Sequence, residues 1–318
     1  MSEVSDLGGR SGLSTVSLST SGSSNSPLSP SDSLREFFMR IKSSIVLALT
    51  LVTASAPIAT AAQHQPTRIV SLSPSATEDL FAIGAGKSVI AVDSLSNFPT
   101  SAPITKLDAF TPNVEAIAKY KPDLVILQSS ATKAASVKAA LEKLKIKVFF
   151  EVTPSDITGA YAEINALGTA TGNATKAAKV VANMKSAIAK AIAAGKRSAP
   201  MAIFHEVDNT LYSATSKTFI GRVYADFNTT NIADAADTAD SYGYPQLTNE
   251  YVLKANPAVI FLGDGEPVAN VAARAGWNSI AAVSGNHIIE LPADIPSRWG
   301  PRLVNFYQFV STTLAAIK

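Results

Sequence analysis

The sequence predicts an α/β protein of two lobes, each with a mainly parallel sheet, joined by one long α-helix. Three observations point there. Short apolar runs alternate with helical patterns on both sides of residues 173–197. That stretch itself, NATKAAKVVANMKSAIAKAIAAGKR, is followed by no Pro until Pro200. A segment opening at Glu115 recurs in form at Glu250.

In the central helix, Gly172 is placed to end the preceding helix in a left-handed turn and Asn173 to cap the next. Val181, Met184, Ile188 and Ala191 recur at spacings of three and four and make one apolar stripe, with Lys176, Lys179, Lys185 and Lys190 largely off it. At 1.5 Å per residue the helix spans roughly 36 Å, about the width of a small domain. It reads as a spine between two lobes.

Along the chain, strands are expected at 69–72, 89–92, 124–127 and 148–152, with helices near 76–83, 113–119, 133–144 and 156–170. Beyond the spine, strands are expected near 201–207, 259–263 and 287–291, and helices near 219–226, 248–254, 268–275 and 300–316. Right-handed crossovers in this order give parallel sheets covered by helices on both faces. The expected domains are residues 62–172 as the N-terminal lobe, 173–197 as the bridging helix and 198–318 as the C-terminal lobe. A chain of 318 residues with 47% hydrophobic content is long enough for two cores.

Residues 1–38, rich in Ser and Gly, read as a disordered extension or as the product of a mis-assigned start. Met39, Arg40 and Lys42 then form a basic segment, residues 44–52 an apolar run, and Ala59-Thr60-Ala61 a small-x-small cleavage site. Residues 39–61 therefore read as a signal peptide, since the run falls short of the ~20 residues a membrane span needs. The protein is expected to be exported, periplasmic or extracellular. Cys is absent, which excludes disulfides, thiolate metal sites and the lipidated N-terminal Cys of a lipoprotein, so the expectation is a protein that is not a lipoprotein.

The repeat is specific. EAIAKYKPDLVIL from Glu115 and EYVLKANPAVIFL from Glu250 each carry an apolar helix, Pro122 or Pro257, then a buried strand. Each Glu lies in a first turn, where it favours the positive end of the helix dipole, with Pro112 before one and Thr248 available to cap the other. Capping alone explains a single such Glu; two at matched positions suggest paired surface contacts.

RIVSLSPSATEDLFAIGAG, the PDLVIL strand, the spine helix and YPQLTNEYVLKANPAVIFLGD together resemble the substrate-binding proteins of ABC importers for iron-siderophores, haem and cobalamin, over about residues 67–318. The resemblance implies two Rossmann-like lobes with a ligand cleft between them and no enzymatic activity. It also implies membrane subunits that dock on Glu115 and Glu250. Within that family the chain is most similar to the cobalamin-binding members, which carry an aromatic-Pro after the second strand, matched by Phe98-Pro99, and aromatic-Pro-Gln before the second docking Glu, matched by Tyr244-Pro245-Gln246. Their Asp, Arg and small-Pro-Arg before the last helix are matched by Asp294, Arg298 and Gly300-Pro301-Arg302. Two departures fall on the corrin-facing surface: Phe110 and Gln128 stand where such a member has Trp.

The chemistry of the residues bears on the ligand. A corrin or porphyrin is a broad apolar disc rimmed with amides or carboxylates and needs flat side chains for its faces and hydrogen-bonding groups for its edge. Phe98, Phe110, Tyr242, Tyr244 and Trp299 supply faces, and Asp294 and Arg298 either bind the edge or pair with each other at i, i+4. A ferric catecholate would favour several cations, for which Arg298, Arg302, Lys217 and Arg274 are candidates. Haem would ask for an axial Tyr or His. His205, at the end of the apolar IFHEV run, is a weak candidate for that role and reads first as a satisfied, partly buried histidine.

Other classes fail on inventory. The net charge of +2 is small and its basic residues scattered, so no nucleic acid is expected. Three His, one beside the cleavage site, do not make a site for bare Zn or Mn. No Gly-x-Ser-x-Gly elbow or dinucleotide fingerprint is present. A two-lobed α/β enzyme remains the alternative from another class, distinguished by turnover of a metabolite. The expected cargo is cobalamin or a related tetrapyrrole, with haem or a ferric siderophore as the alternatives. No cofactor is expected, and the chain is expected to be a monomer.

Overall fold

The computed structural model describes residues 65–317. The N-terminal extension and signal peptide expected before them lie outside the described residues. The elements run in the order β1 (Ile69–Leu72), α1 (Pro74–Ala82), β2 (Val89–Val92), α2 (Val114–Ala118), β3 (Leu124–Gln128), α3 (Ala134–Lys143), β4 (Lys147–Glu151) and α4 (Ile157–Ala170). The bridging α5 (Ala174–Gly195) follows. Then come β5 (Met201–Glu206), α6 (Phe219–Ala225), β6 (Thr229–Asn231), α7 (Asn249–Ala255), β7 (Val259–Leu262), α8 (Val268–Ala272), α9 (Ala281–Ser284), β8 (Ile288–Glu290) and α10 (Leu303–Ala316).

Each lobe is built on a four-stranded parallel sheet, ordered β2-β1-β3-β4 in the first and β6-β5-β7-β8 in the second. The two lobes thus repeat one topology. The short β6 is the strand absent from the sequence expectations: Thr-Thr-Asn offers neither an apolar run nor an apolar alternation.

The spine forms where its stripe predicts. Val181, Met184, Ile188 and Ala191 are buried, and the four lysines off the stripe are exposed. Those four residues belong to a single apolar core that includes Ile69, Ile126 and Ile164 of the first lobe and Ile203, Phe261 and Val310 of the second. Separate apolar layers cover the far face of each sheet, around Val70, Val125 and Leu141 in one and Phe204, Ile260 and Trp277 in the other. Gly172 takes the left-handed conformation expected of it, with φ of +70°. Asn173 departs from expectation: its side chain bonds back to Thr171 and does not cap α5.

Parallel strands aim their carboxyl ends the same way, and in both sheets those ends lead into the loops that face the other lobe. Ser75, in the first turn of α1 after β1, and Leu95, in the turn after β2, touch Trp299 and Arg298, which follow β8. The lobes therefore face each other at the carboxyl ends of both sheets, where α/β proteins place ligands.

Candidate functional site

On the first-lobe wall, Phe98 is 42% exposed in the loop after β2, with the Arg302 guanidinium 4.4 Å from its ring centroid. Phe110 is exposed in the loop leading to α2, and Gln128 is half-buried at the last position of β3, paired in the ladder with Glu151.

The second-lobe wall contains a feature that local sequence does not announce. Residues 211–215 and 243–247 run antiparallel: Leu247 donates to Leu211, Ser213 to Pro245, and Thr215 to Gly243, backbone to backbone. Successive side chains on such a ribbon point to opposite faces. Tyr244 and Gln246 accordingly point outward while Gly243, Pro245 and Leu247 are buried, and Tyr212, bridged to Gln246, stands exposed beside them. Tyr242, at the turn, is 85% exposed. Tyr212 is an exposed aromatic beside Tyr244 that the spacing of the sequence missed. Its pairing partner lies in a separate segment, and only the ribbon brings the two rings to one face.

Asp294, Arg298 and Trp299 lie where the lobes meet. Asn97 of the first lobe donates to Asp294 Oδ2 at 2.5 Å, and Arg298 lies 3.6 Å from Asp294 and 3.9 Å from Glu78. The i, i+4 pair is therefore real and reaches a third charge across the seam. The Trp299 indole donates to Glu151 Oε1 at 3.2 Å, its backbone N–H to Ser75 Oγ at 3.3 Å, and its ring packs edge-on against Phe219. Arg302 grips Glu78 through two bonds, 2.9 Å and 2.5 Å, and Glu78 is 3% exposed. A bidentate pair this far from water anchors the 294–302 loop on α1.

His205 is buried in β5, with Nδ1 3.0 Å from the Tyr224 hydroxyl. Burial pushes its ring down to about 4, so it is neutral at physiological pH. Among the described residues no group of three or more His, Cys, Asp or Glu is arranged to hold a metal ion.

Glu115 and Glu250 are exposed in the first turns of α2 and α7, capped by Asn113, which accepts from Ala116 N, and Thr248, which accepts from Tyr251 N. The two glutamates thus hold matched positions, each in the first turn of the helix that precedes the third strand of its sheet, β3 or β7.

Residues 69–295 match the family described as periplasmic binding proteins. The chain belongs to that family. It is 32% identical over 254 residues to a protein of Bacillus subtilis (strain 168) named as an uncharacterized ABC transporter substrate-binding lipoprotein, YvrC, covering 76% of this chain and 78% of that one. It is 28% identical over 253 residues to a protein of Halobacterium salinarum (strain ATCC 29341 / DSM 671 / R1) named as a cobalamin-binding protein, covering 76% and 67%. It superposes with a TM-score of 0.69, at 21% identity and covering 79% and 98%, on a periplasmic haem-binding protein, RhuT, from Roseiflexus sp. RS-1 in its apo form. The chain is thus a substrate-binding protein for an ABC importer, with a transported small molecule rather than a cofactor as its ligand, and the enzyme alternative falls.

One expectation is corrected by the same findings. The lack of Cys led to a protein that is not a lipoprotein, yet the Bacillus subtilis relative is named as one. Missing Cys removes one attachment chemistry from the printed sequence and does not decide how the protein is held outside the membrane. Export itself agrees with the family.

Proposed function

We propose that this chain captures a corrinoid of the cobalamin type between its lobes and delivers it to an ABC importer, which engages Glu115 and Glu250. The choice of ligand rests on the pairing of every cation nominated for the cleft. Arg298 and Arg302 lie against Glu78, Arg274 is gripped by Glu206, and Lys217 is bound to Asp237. An anionic ferric chelate needs uncompensated positive charge, whereas an amide-rimmed corrin needs apolar faces and neutral hydrogen-bonding groups. Phe98, Phe110, Tyr212, Tyr242 and Tyr244 offer exposed faces, and Gln128 and Gln246 offer neutral amides. Similarity to the Halobacterium salinarum cobalamin-binding protein supports the same ligand.

Calorimetry on single-ring variants tests this. Tyr244→Ala and Tyr212→Ala should each weaken cyanocobalamin binding by about 2 to 4 kcal/mol, roughly 30- to 1,000-fold, as for the central anchors of an interface. Unchanged affinity in both variants removes the platform and the reading with it.

Haem is the second reading, favoured by the exposed tyrosines, since Tyr is an axial ligand of haem iron. His205 is poorly placed for that role behind Tyr224. A haemin complex whose Soret band shifts in Tyr212→Phe or Tyr242→Phe would move the choice to haem.

A further inference from the structure

Beneath the contact between the lobes lies a set of acids that neither ligand capture nor docking uses. Asp79 of α1, Glu151 at the end of β4 and Glu163 of α4 are all buried, 0%, 1% and 9% exposed. Both oxygens of Asp79, both of Glu163 and Oε2 of Glu151 receive no donor from any neighbouring N–H or hydroxyl. Glu151 Oε1 accepts from Ser73 Oγ at 3.0 Å and from the Trp299 indole at 3.2 Å, so the indole of the second lobe is the lid on this first-lobe cluster. Gly300 continues the lid: a Cβ there would stand 3.1 Å from Asp79 Oδ1 and 3.2 Å from the Ser75 carbonyl.

Three ionised carboxylates do not survive together in such a place. Burial, the largest cause for each, holds all three above the usual carboxylate range, with added repulsion from Glu151 and Glu78 at Asp79, from Asp93 at Glu151 and from Glu151 and Asp79 at Glu163. The surrounding charges do not compensate. Glu78 on α1 is committed to Arg302, Asp93 after β2 adds a further negative charge and is bound by Ser96, and Arg298 faces Asp294 and Glu78. A chelated metal is not the explanation, because these oxygens do not converge as ligands among the described residues.

We propose that Asp79, Glu151 and Glu163, sealed by Trp299, form a proton-holding seam that makes the closure of the two lobes depend on pH. Closed, the seam keeps its acids protonated. Opened, it admits water, and above the ordinary carboxylate range the acids lose their protons. Rising pH therefore favours the open form, tenfold per pH unit for each proton released, and falling pH favours the closed one. Unfolding releases the same protons, so the seam's contribution to stability also declines as pH rises from about 4.5. The proposal concerns this seam alone and stands whichever ligand the cleft holds.

The two tryptophans make the test direct, since Trp277 is fully buried in the second lobe and Trp299 closes the seam. Acrylamide quenching of the purified protein should rise about twofold between pH 6 and pH 8.5, with far-ultraviolet dichroism unchanged, as the seam releases protons on opening. Glu163→Gln and Glu151→Gln keep the shape but remove a titrating proton; the rise should be lost or halved in at least one of them. Glu163→Gln should also raise the melting temperature at pH 8.5 by about 2 to 4 °C and leave it unchanged at pH 4.5. Quenching that is flat in the wild type, or that rises equally in both variants, would overturn the proposal.

Discussion

His205 is a single residue whose burial has a measurable price. The unfolded ring titrates near 6.5, and burial against Tyr224 pushes the folded one down to about 4. Between those values the unfolded chain binds a proton that the fold does not. The stabilisation is complete above pH 6.5 and is lost as pH falls toward 4, to a total of about 3 kcal/mol. Urea midpoints measured from pH 7 to pH 4.5 should fall accordingly, and His205→Gln should flatten that slope. An unaltered slope in the variant would place the ring in contact with solvent. The seam acids act in the opposite direction, so the two effects together put the stability maximum on the mildly acidic side of neutrality.

At the scale of elements, α2 and α7 are short helices at matched positions in opposite lobes. Each is capped by a side chain, Asn113 or Thr248, so Glu115 and Glu250 are not needed to satisfy the helix ends and are free to meet a partner. The double variant Glu115→Arg, Glu250→Arg should bind ligand as before and lose transporter-stimulated ATP hydrolysis, because unpairing a desolvated charge across an interface costs on the order of 2 to 5 kcal/mol. Normal stimulation would reduce both residues to spectators of the helix dipole. Much of this layer was legible in the chain. Val181, Met184, Ile188 and Ala191 carry a helical period with no interruption, and Pro122 and Pro257 mark the same step in each repeat. What was not legible depends on pairing at a distance. Tyr212 joins Tyr244 only through an antiparallel ribbon, and Asp79, Glu151 and Glu163 come from three elements and read singly as surface carboxylates until packing buries them. Gln128 and Phe110 were found by likeness, and the structure adds that Gln128 is half-buried at the end of β3 while Phe110 is exposed in the loop before α2.

For the whole molecule, the spine limits motion. One core runs from the first sheet through α5 into the second, and a continuous helix of 22 residues offers no loop to absorb a large hinge rotation. The 294–302 loop adds a second tie through Arg302 and Glu78. Solution scattering of free and loaded protein should therefore give closely similar curves, and a rotation of tens of degrees would remove the spine from the account. Closure then consists of small adjustments at the seam and the aromatic walls, which is enough to sandwich a flat ring without rebuilding either lobe. The claim on which capture rests is that the cleft is shaped for a neutral, amide-rimmed disc. Side-by-side calorimetry of the purified protein against cyanocobalamin, haemin and a ferric catecholate tests it most directly. The account predicts one-to-one binding of cyanocobalamin in the sub-micromolar range, with the two iron compounds weaker by about 100-fold or more, a difference of about 3 kcal/mol. Tighter binding of haemin or of the ferric catecholate than of cyanocobalamin would contradict it.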